Sequence, residues 1–338
     1  MSADLLICGK SIEPGTRTTI DLPVPQLYTH TPLTLRVRVV RGRRDGPRLF
    51  VSAAVHGDEL NGVEIIRRLL RLPALSRLNG TLIAIPIVNV YGVLHHSRYL
   101  PDRRDLNRSF PGSGRGSLTA KVADRFMSEI VANCTHGIDL HTAANHRDNL
   151  PQIRGNLDDV ETLSLARGFG VPVLINAATR DGSLRAAAAA LGIKTLLYEA
   201  GEPMRFNESA IRPGVQGVVN VMRTLGMLAP SRRRRGGPEP IVARSTAWVR
   251  APESGMFRSA KPLGACVERG EPIGKIADPF GETEMTVTAE HSGLVIGRTQ
   301  LPIVHQGDAL FHVARFEDVL EVAQHVEDFQ AAHEDGWI

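Results

Sequence analysis

A chain of 338 residues, 42% hydrophobic and 22% charged, is too long for one ordinary core and calls for a large domain plus a small one; the same balance excludes disorder. Its formal net charge of +4 is concentrated in two places, Arg232–Arg235 and the stretch holding Arg98, Arg103, Arg104 and Arg108. No basic helix with interleaved aromatics appears, so no nucleic-acid partner is expected. Three scattered cysteines without a CxxC pair, a start (Met1–Lys10) unlike a signal peptide, and no apolar run near the ~20 residues of a membrane span point to a soluble, cytoplasmic protein.

From about Leu33 to Leu228 strand-like and helix-like segments alternate. Leu35–Val40 and Leu49–Val55 read as strands, and Glu59–Leu72 as a helix with Leu60, Val63, Ile66, Leu69 and Leu70 at helical spacing. Leu82–Val88 reads as a buried strand, Ser117–Val131 as a helix and Gly137–His141 as a short strand. Helices follow at Asp158–Phe169 and Ser183–Leu191, the latter stopped by Gly192, then a strand at Ile193–Tyr198 and a helix at Val215–Leu228. This alternation predicts an α/β fold, a largely parallel or mixed sheet with helices on both faces, over residues 1–230.

Residues 231–240 hold four arginines, two glycines and two prolines and read as a linker. Over 241–316, short β-type runs punctuated by Gly and Pro predict a small all-β domain. It is internally duplicated: Ala251–Phe257 resembles Ala289–Val295, and Val267–Ile273 resembles Val304–Leu310, at a nearly constant offset. That pattern is similar to the barrel-sandwich fold of biotinyl and lipoyl carrier domains. No lysine lies between the copies in Ala277–Glu290, which argues against a carrier and for a structural or oligomerisation module. Residues 317–338 form a C-terminal helix and tail, with Val319, Val322, Ala323, Val326 and Phe329 on one stripe of the helix.

Four segments carry chemistry. In Ala54-Val-His56-Gly-Asp-Glu59 the histidine falls where a strand ends and the glutamate in the first turn of the next helix, so both side chains reach one metal ion; zinc accepts such N and O ligands in open catalytic sites. Gly137-Ile-Asp139-Leu-His141 places Asp139 and His141 on one strand face, a third ligand with a supporting carboxylate. Glu199 in Leu196-Leu-Tyr-Glu199-Ala-Gly201 ends an apolar strand, where a carboxylate near the metal can carry a proton. In Asp105-Leu-Asn107-Arg108-Ser-Phe, Asn107 and Arg108 are suited to gripping a substrate carboxylate, and Arg98 to steadying an oxyanion. Of the other histidines, His146 has a claim to the pocket rim; His95 and His96 read as surface or turn, and His30, His136, His291, His305 and His312 as structural or solvated.

Taken in order, His56-Gly-Asp-Glu59, Asp105-Leu-Asn-Arg-Ser-Phe, Asp139-Leu-His141 and Glu199-Ala-Gly201 make the chain resemble the succinylglutamate desuccinylase/aspartoacylase family, a branch of the zinc carboxypeptidase-like fold. The resemblance covers about Leu33–Leu228. It implies a carboxypeptidase-like mixed sheet, one Zn2+ per chain held by His56, Glu59 and His141, Glu199 as general base, Asn107 and Arg108 as carboxylate-binding pair, and Arg98 on the oxyanion side. The expected activity is hydrolysis of the acyl–nitrogen bond of a small N-acyl amino acid, with a possible homo-oligomer. A zinc peptidase acting on a short peptide, or a non-catalytic carboxylate-binding protein of the same fold, are the alternatives.

Overall fold

The structure is a computed structural model that describes residues 5–144, 146–231, 240–243, 245–317 and 319–334. Strands β1 (Leu5–Ile7) and β2 (Lys10–Ile12) form a separate hairpin. Then come β3 (Arg17–Val24), β4 (Leu33–Arg41), β5 (Arg44–Ala53), α1 (Asn61–Leu69), β6 (Asn79–Ile85), α2 (Val90–Leu94), α3 (Leu118–Glu129), β7 (His136–His141), β8 (Arg147–Gly155), α4 (Val160–Phe169), β9 (Val173–Asn176), α5 (Leu184–Ala190), β10 (Lys194–Gly201) and α6 (Glu208–Thr224). The C-terminal part adds β11 (Ile241–Ala243), β12 (Ser245–Arg250), β13 (Gly255–Ser259), β14 (Cys266–Val267), β15 (Pro272–Ala277), β16 (Glu284–Thr288), β17 (Gly293–Thr299), β18 (Ile303–Val304), β19 (Ala309–Arg315) and α7 (Val319–Glu334).

One mixed sheet runs in the order β12-β19-β17-β8-β10-β7-β5-β6-β4-β3. Its centre, β10-β7-β5-β6, is parallel, and antiparallel strands flank it on both sides. The parallel strands are apolar along most of their length because both their faces are covered. In β5 the alternation is visible residue by residue. Leu49, Val51 and Ala53 join the core shared with α1, α4 and α6, whereas Phe50 joins the opposite core with Val122 and Phe126 of α3 and Leu184 of α5. Helices therefore cover both faces, as the sequence pattern predicts.

Several boundaries differ from the sequence reading. The first helix is shorter than Glu59–Leu72, and Glu59 lies in the turn before it, two residues ahead of Asn61. α6 begins at Glu208, ahead of the Val215 expected, and takes Pro213 in its second turn, where the ring forfeits a single amide bond. The stretch Arg147–Gly155, to which the sequence pattern assigned no element, is strand β8. Its arginines, Asp148, Asn149 and Gln152 hide the apolar alternation that marks a strand.

The C-terminal strands do not stand apart. β17 pairs antiparallel with β8, Gly297 opposite Asn149, so β12, β19 and β17 extend the central sheet. A second antiparallel sheet, β16-β15-β13-β18, completes this part. The duplicated sequences bond to each other reciprocally. Gly307 N–H donates to Ala251 O and Ala251 N–H to Asp308 O, while Gly270 N–H donates to Ala289 O and Ala289 N–H to Glu271 O. Val322 and Val326 of α7 are buried against the same region. The expected linker falls almost wholly on residues 232–239, outside the described residues, as does the Arg232–Arg235 run. Among the described residues no helix is long and apolar enough to cross a membrane.

α1 crosses the sheet closely because Gly62 faces it without a side chain. A Cβ there would lie 2.7 Å from the Cβ atoms of Ala53 and of Leu140. Gly62→Ala is expected to cost about 1–3 kcal/mol in denaturant melts by forcing helix and sheet apart. Gly114→Ala, where the nearest atom would be 3.5 Å away, is the control and should shift stability by no more than about 0.5 kcal/mol. Equal melts for the two variants would refute the close-packing account.

Candidate active site

The chain leaves β5 through Ala54, which adopts a left-handed conformation (φ 49°), and is pinned there by the Val88 and Asn89 amides donating to the Ala53 and Ala54 carbonyls at 3.0 and 2.8 Å. Gly57 then passes so close to the backbone of Gly92 that a Cβ would fall 2.0 Å from its carbonyl carbon. This turn presents His56 and Glu59 together. β7 delivers Asp139 and His141 from its carboxyl end. β10, parallel to it, sets Glu199 directly beside His141 in register. The site thus forms at the carboxyl ends of β5, β7 and β10, the usual place for ligands in an open α/β sheet.

Three donor groups converge. His56 Nδ1 is 2.7 Å from Glu59 Oε1, and His141 Nδ1 is 2.7 Å from Glu59 Oε2. One ligand atom from each of the three residues lies within 4.8 Å of the others, and all three side chains are buried. The far ring nitrogens are also held: His56 Nε2 is 3.1 Å from Asp105 Oδ1, and His141 Nε2 is 2.7 Å from Asp139 Oδ2. Ser52 Oγ donates to Asp139 at 2.7 Å, and the Thr142 amide donates to Glu59 at 3.1 Å. Carboxylates facing both Nε2 atoms favour the tautomer with the proton there, which leaves two Nδ1 lone pairs and a carboxylate pointing at one place.

That arrangement needs positive charge. Burial pushes both imidazoles toward the neutral form, yet Glu59 with Asp105, and Asp139 with Glu59, raise His56 and His141 above the ordinary imidazole range. Burial likewise opposes ionisation of Glu59, and the two imidazoles overcome it, holding its carboxyl well below the usual range. A divalent cation would serve in place of those protons, since metal ligands compete for the same lone pairs. His56, Glu59 and His141 therefore fit a metal ion by the chemistry of their donor set.

Arg98 braces this cluster. Its Nε and Nη2 donate to Asp105 Oδ2 at 3.1 and 2.9 Å, and its Nη1 lies 3.3 Å from Glu59 Oε1. Asn107 accepts the Leu184 amide on Oδ1 at 2.9 Å, and Arg108 Nη1 donates to the Asn107 carbonyl at 2.5 Å. Glu199 receives Asn149 Nδ2 at 3.1 Å and pairs with Arg154 Nε at 3.2 Å. All seven residues singled out in the sequence, His56, Glu59, His141, Arg98, Asn107, Arg108 and Glu199, line one cavity of about 680 Å³. Exposed His146 does not line it, contrary to the expectation of a rim position.

Residues 45–225 match the family model described as the succinylglutamate desuccinylase/aspartoacylase catalytic domain. The chain belongs to this family. A curated relative, the N-alpha-acetyl-L-2,4-diaminobutyric acid deacetylase of Halomonas elongata, is 26% identical over 84% of this chain and 86% of its own length. A succinylglutamate desuccinylase/aspartoacylase from Rhodobacter sphaeroides superposes with a TM-score of 0.81 at 26% identity, covering 90% of this chain and 98% of that one. The product-bound ectoine utilization protein EutE (DoeB) of Ruegeria pomeroyi shares the fold, with a TM-score of 0.79 at 22% identity over 89% and 94% of the two chains.

In this family member the cavity has walls that sequence reasoning missed. Arg147 and Arg154 come from β8, Arg185 from α5, and Trp248 and His312 from the C-terminal strands β12 and β19. His312, expected to be structural or solvated, is buried and stacks on Trp248 with ring centres 4.3 Å apart and planes 5° from parallel, while Arg147 sits 5.1 Å from the Trp248 ring centre. The period-2 series Thr246, Trp248, Arg250 in β12 was the available signal, since all three line the cavity.

Burial, reinforced by Arg154 and Arg147, pulls the His312 imidazole down to about 3. The folded protein then binds fewer protons than the unfolded chain at pH values between that point and ~6.5. The stabilisation is complete above the unfolded value and is lost as pH falls toward 3. His312→Gln is expected to flatten the fall of stability between about pH 6 and 4 by roughly 1–3 kcal/mol in denaturant melts. Parallel pH profiles for the two proteins would contradict the depressed imidazole.

Proposed function

We propose that the chain is a zinc-dependent deacylase that hydrolyses the acyl–nitrogen bond of an N-acyl amino acid or a related small carboxylate. The observation that carries this reading is the convergence of His56, Glu59 and His141 on one point of a cavity that Glu199 shares. The relatives named above, a deacetylase and a desuccinylase/aspartoacylase, support it.

His56, Glu59 and His141 would hold the ion, with Asp105 and Asp139 fixing the two rings from behind. When bound, zinc lowers the pKa of a water toward ~7 and polarises an acyl carbonyl. Glu199 takes the proton from the attacking water on its carboxylate and delivers it to the departing nitrogen. Asn149 and Arg154 keep that carboxylate aimed. Arg98, held by Asp105, stands on the side where the carbonyl oxygen gains charge. With its Oδ1 engaged by Leu184, Asn107 keeps its NH2 for donation and, with Arg108, anchors the amino acid's carboxylate. The C-terminal β part, which we read as a barrel-sandwich module, walls the cavity and so limits the size of what enters.

Purified protein is expected to carry about one zinc per chain, and chelation should abolish cleavage of N-acyl amino acids until zinc is restored. Glu199→Gln should keep its zinc yet lose turnover by about 10²–10⁴-fold. Full activity in the chelated protein, or no cleavage of any N-acyl amino acid after zinc loading, would sink the assignment.

A further inference from the structure

A second cavity, of about 250 Å³, shares Asn149 with the first and lies where β8 and the start of α6 meet β17, the segment around Leu263 and α7. Asp148 and Arg298 line it from opposed positions of β8 and β17, which puts their side chains on one face of the sheet. No ion pair joins the two among the described residues. Asp148 Oδ2 accepts Gln300 Nε2 at 3.2 Å, Arg298 Nη1 donates to Lys261 O at 3.2 Å, and Arg298 Nε is buried without a hydrogen-bond partner. Leu150, Leu263 and Phe329 supply an apolar wall, the last beside His333 with ring centres 4.3 Å apart. Phe329, Gln330 and His333 are only partly buried, which leaves a way in from solvent.

A carboxylate and a guanidinium on one face of neighbouring strands ordinarily bond each other. Here an amide and a carbonyl hold them instead, and neither supplies an opposite charge. Burial, with Glu202 adding to it, raises the Asp148 carboxyl above the usual carboxylate range, and Arg298 offsets only part of the effect. The Asp148 carboxylate is thus partly desolvated without a neutralising contact, a costly state that a bound ammonium relieves. Arg298 offers the matching donors to a carboxylate. Opposed residues of an antiparallel pair lie ~4.5–5.5 Å apart at Cα, so one small molecule bearing both charges on a single carbon reaches both side chains. The apolar wall then takes its hydrocarbon chain.

We infer that this second cavity is a binding site for a free α-amino acid with an apolar side chain, its ammonium on Asp148 and its carboxylate on Arg298. Binding there is independent of the deacylase reading; its effect on turnover rests on that reading. Asn149 lines both cavities and donates to Glu199 at 3.1 Å, and Gly201, two residues beyond Glu199, also lines the second. An ammonium that draws on Asp148 acts on the next residue of β8 and so disturbs the aim of Glu199. A free amino acid is what the proposed reaction releases, so occupation of this site restrains the enzyme by its own class of product.

The test is calorimetry on the full chain with leucine, with 4-methylpentanoate, which lacks the ammonium, and with 3-methylbutylamine, which lacks the carboxylate. Leucine is expected to bind at least about tenfold more tightly than either. Asp148→Asn and Arg298→Gln should each weaken leucine about tenfold, whereas Arg108→Gln, in the first cavity, should leave its affinity unchanged. Leu263→Phe, which narrows the second cavity and removes no charge, should also weaken leucine and serves if the charge variants do not fold. With zinc-loaded protein and a saturating N-acyl amino acid, leucine should lower kcat at least about twofold in the wild type and not in Arg298→Gln; proton transfer by a positioned group is worth ~10²–10⁴-fold, so losing part of it is visible. No leucine binding, equal affinity for the three probes, or binding that Arg108→Gln abolishes and Arg298→Gln spares overturns the site. Leucine binding that leaves kcat untouched overturns the link through Asn149. No cleavage, with Asp148-dependent leucine binding, overturns the deacylase and leaves the site.

Discussion

Two imidazole lone pairs and a carboxylate brought together inside a protein repel one another unless a proton or a cation lies between them. The region around His56, Glu59 and His141 is organised about that constraint. Asp105, Asp139, Arg98 and the Thr142 amide contact members of the trio from outside and hold the rings and the carboxylate in place, and Ser52 in turn holds Asp139. This ring of contacts spans β5, β7 and the Asp105 segment. It can form only in the observed parallel register, which sets Ser52 opposite Asp139 in one strand pair and Glu199 opposite His141 in the next. A one-residue slip would turn Asp139 and His141 to the apolar face now filled by Ile138 and Leu140.

The sheet also joins the two parts of the chain. Because β8 pairs with β10 on one side and β17 on the other, the strand carrying Asn149 and Arg154 connects Glu199 to the C-terminal strands. Trp248 and His312 therefore reach the cavity on a rigid scaffold rather than on loops. The reciprocal bonds between Ala251 and Asp308 and between Ala289 and Glu271 brace the duplicated part that bears them.

The end of the cavity that holds His56, His141 and Glu199 was legible in the sequence because these residues sit at element boundaries, where an apolar run stops on a charged or imidazole side chain. His56, His141 and Glu199 all follow this rule, and period 2 correctly paired Asp139 with His141. The assignment of Glu59 to the first turn of α1 failed because Ala54 bends the backbone before the helix starts, and a left-handed alanine leaves no mark in composition. The other end was illegible for a different reason. Arg147, Arg154 and Arg185 read as ordinary surface charge when each is taken singly, and β8 was missed because polar residues occupy the face that a solvent-facing strand would also show. A polar face turned to a cavity and one turned to water have the same sequence pattern. Only the pairing of β8 between two other strands separates them.

That pairing bears on how one cavity accommodates opposite electrostatic demands. The trio at the carboxyl ends of β5 and β7 points two imidazoles and a carboxylate at one place, whereas the walls from β8, α5 and β12 carry arginines. Glu199 stands between them, beside His141 in register and paired with Arg154 on the neighbouring strand. A carboxylate in that position feels both fields at short range. Both parts of the cavity thus meet at a single side chain, whose place is fixed by the strand register on one side and by an ion pair on the other.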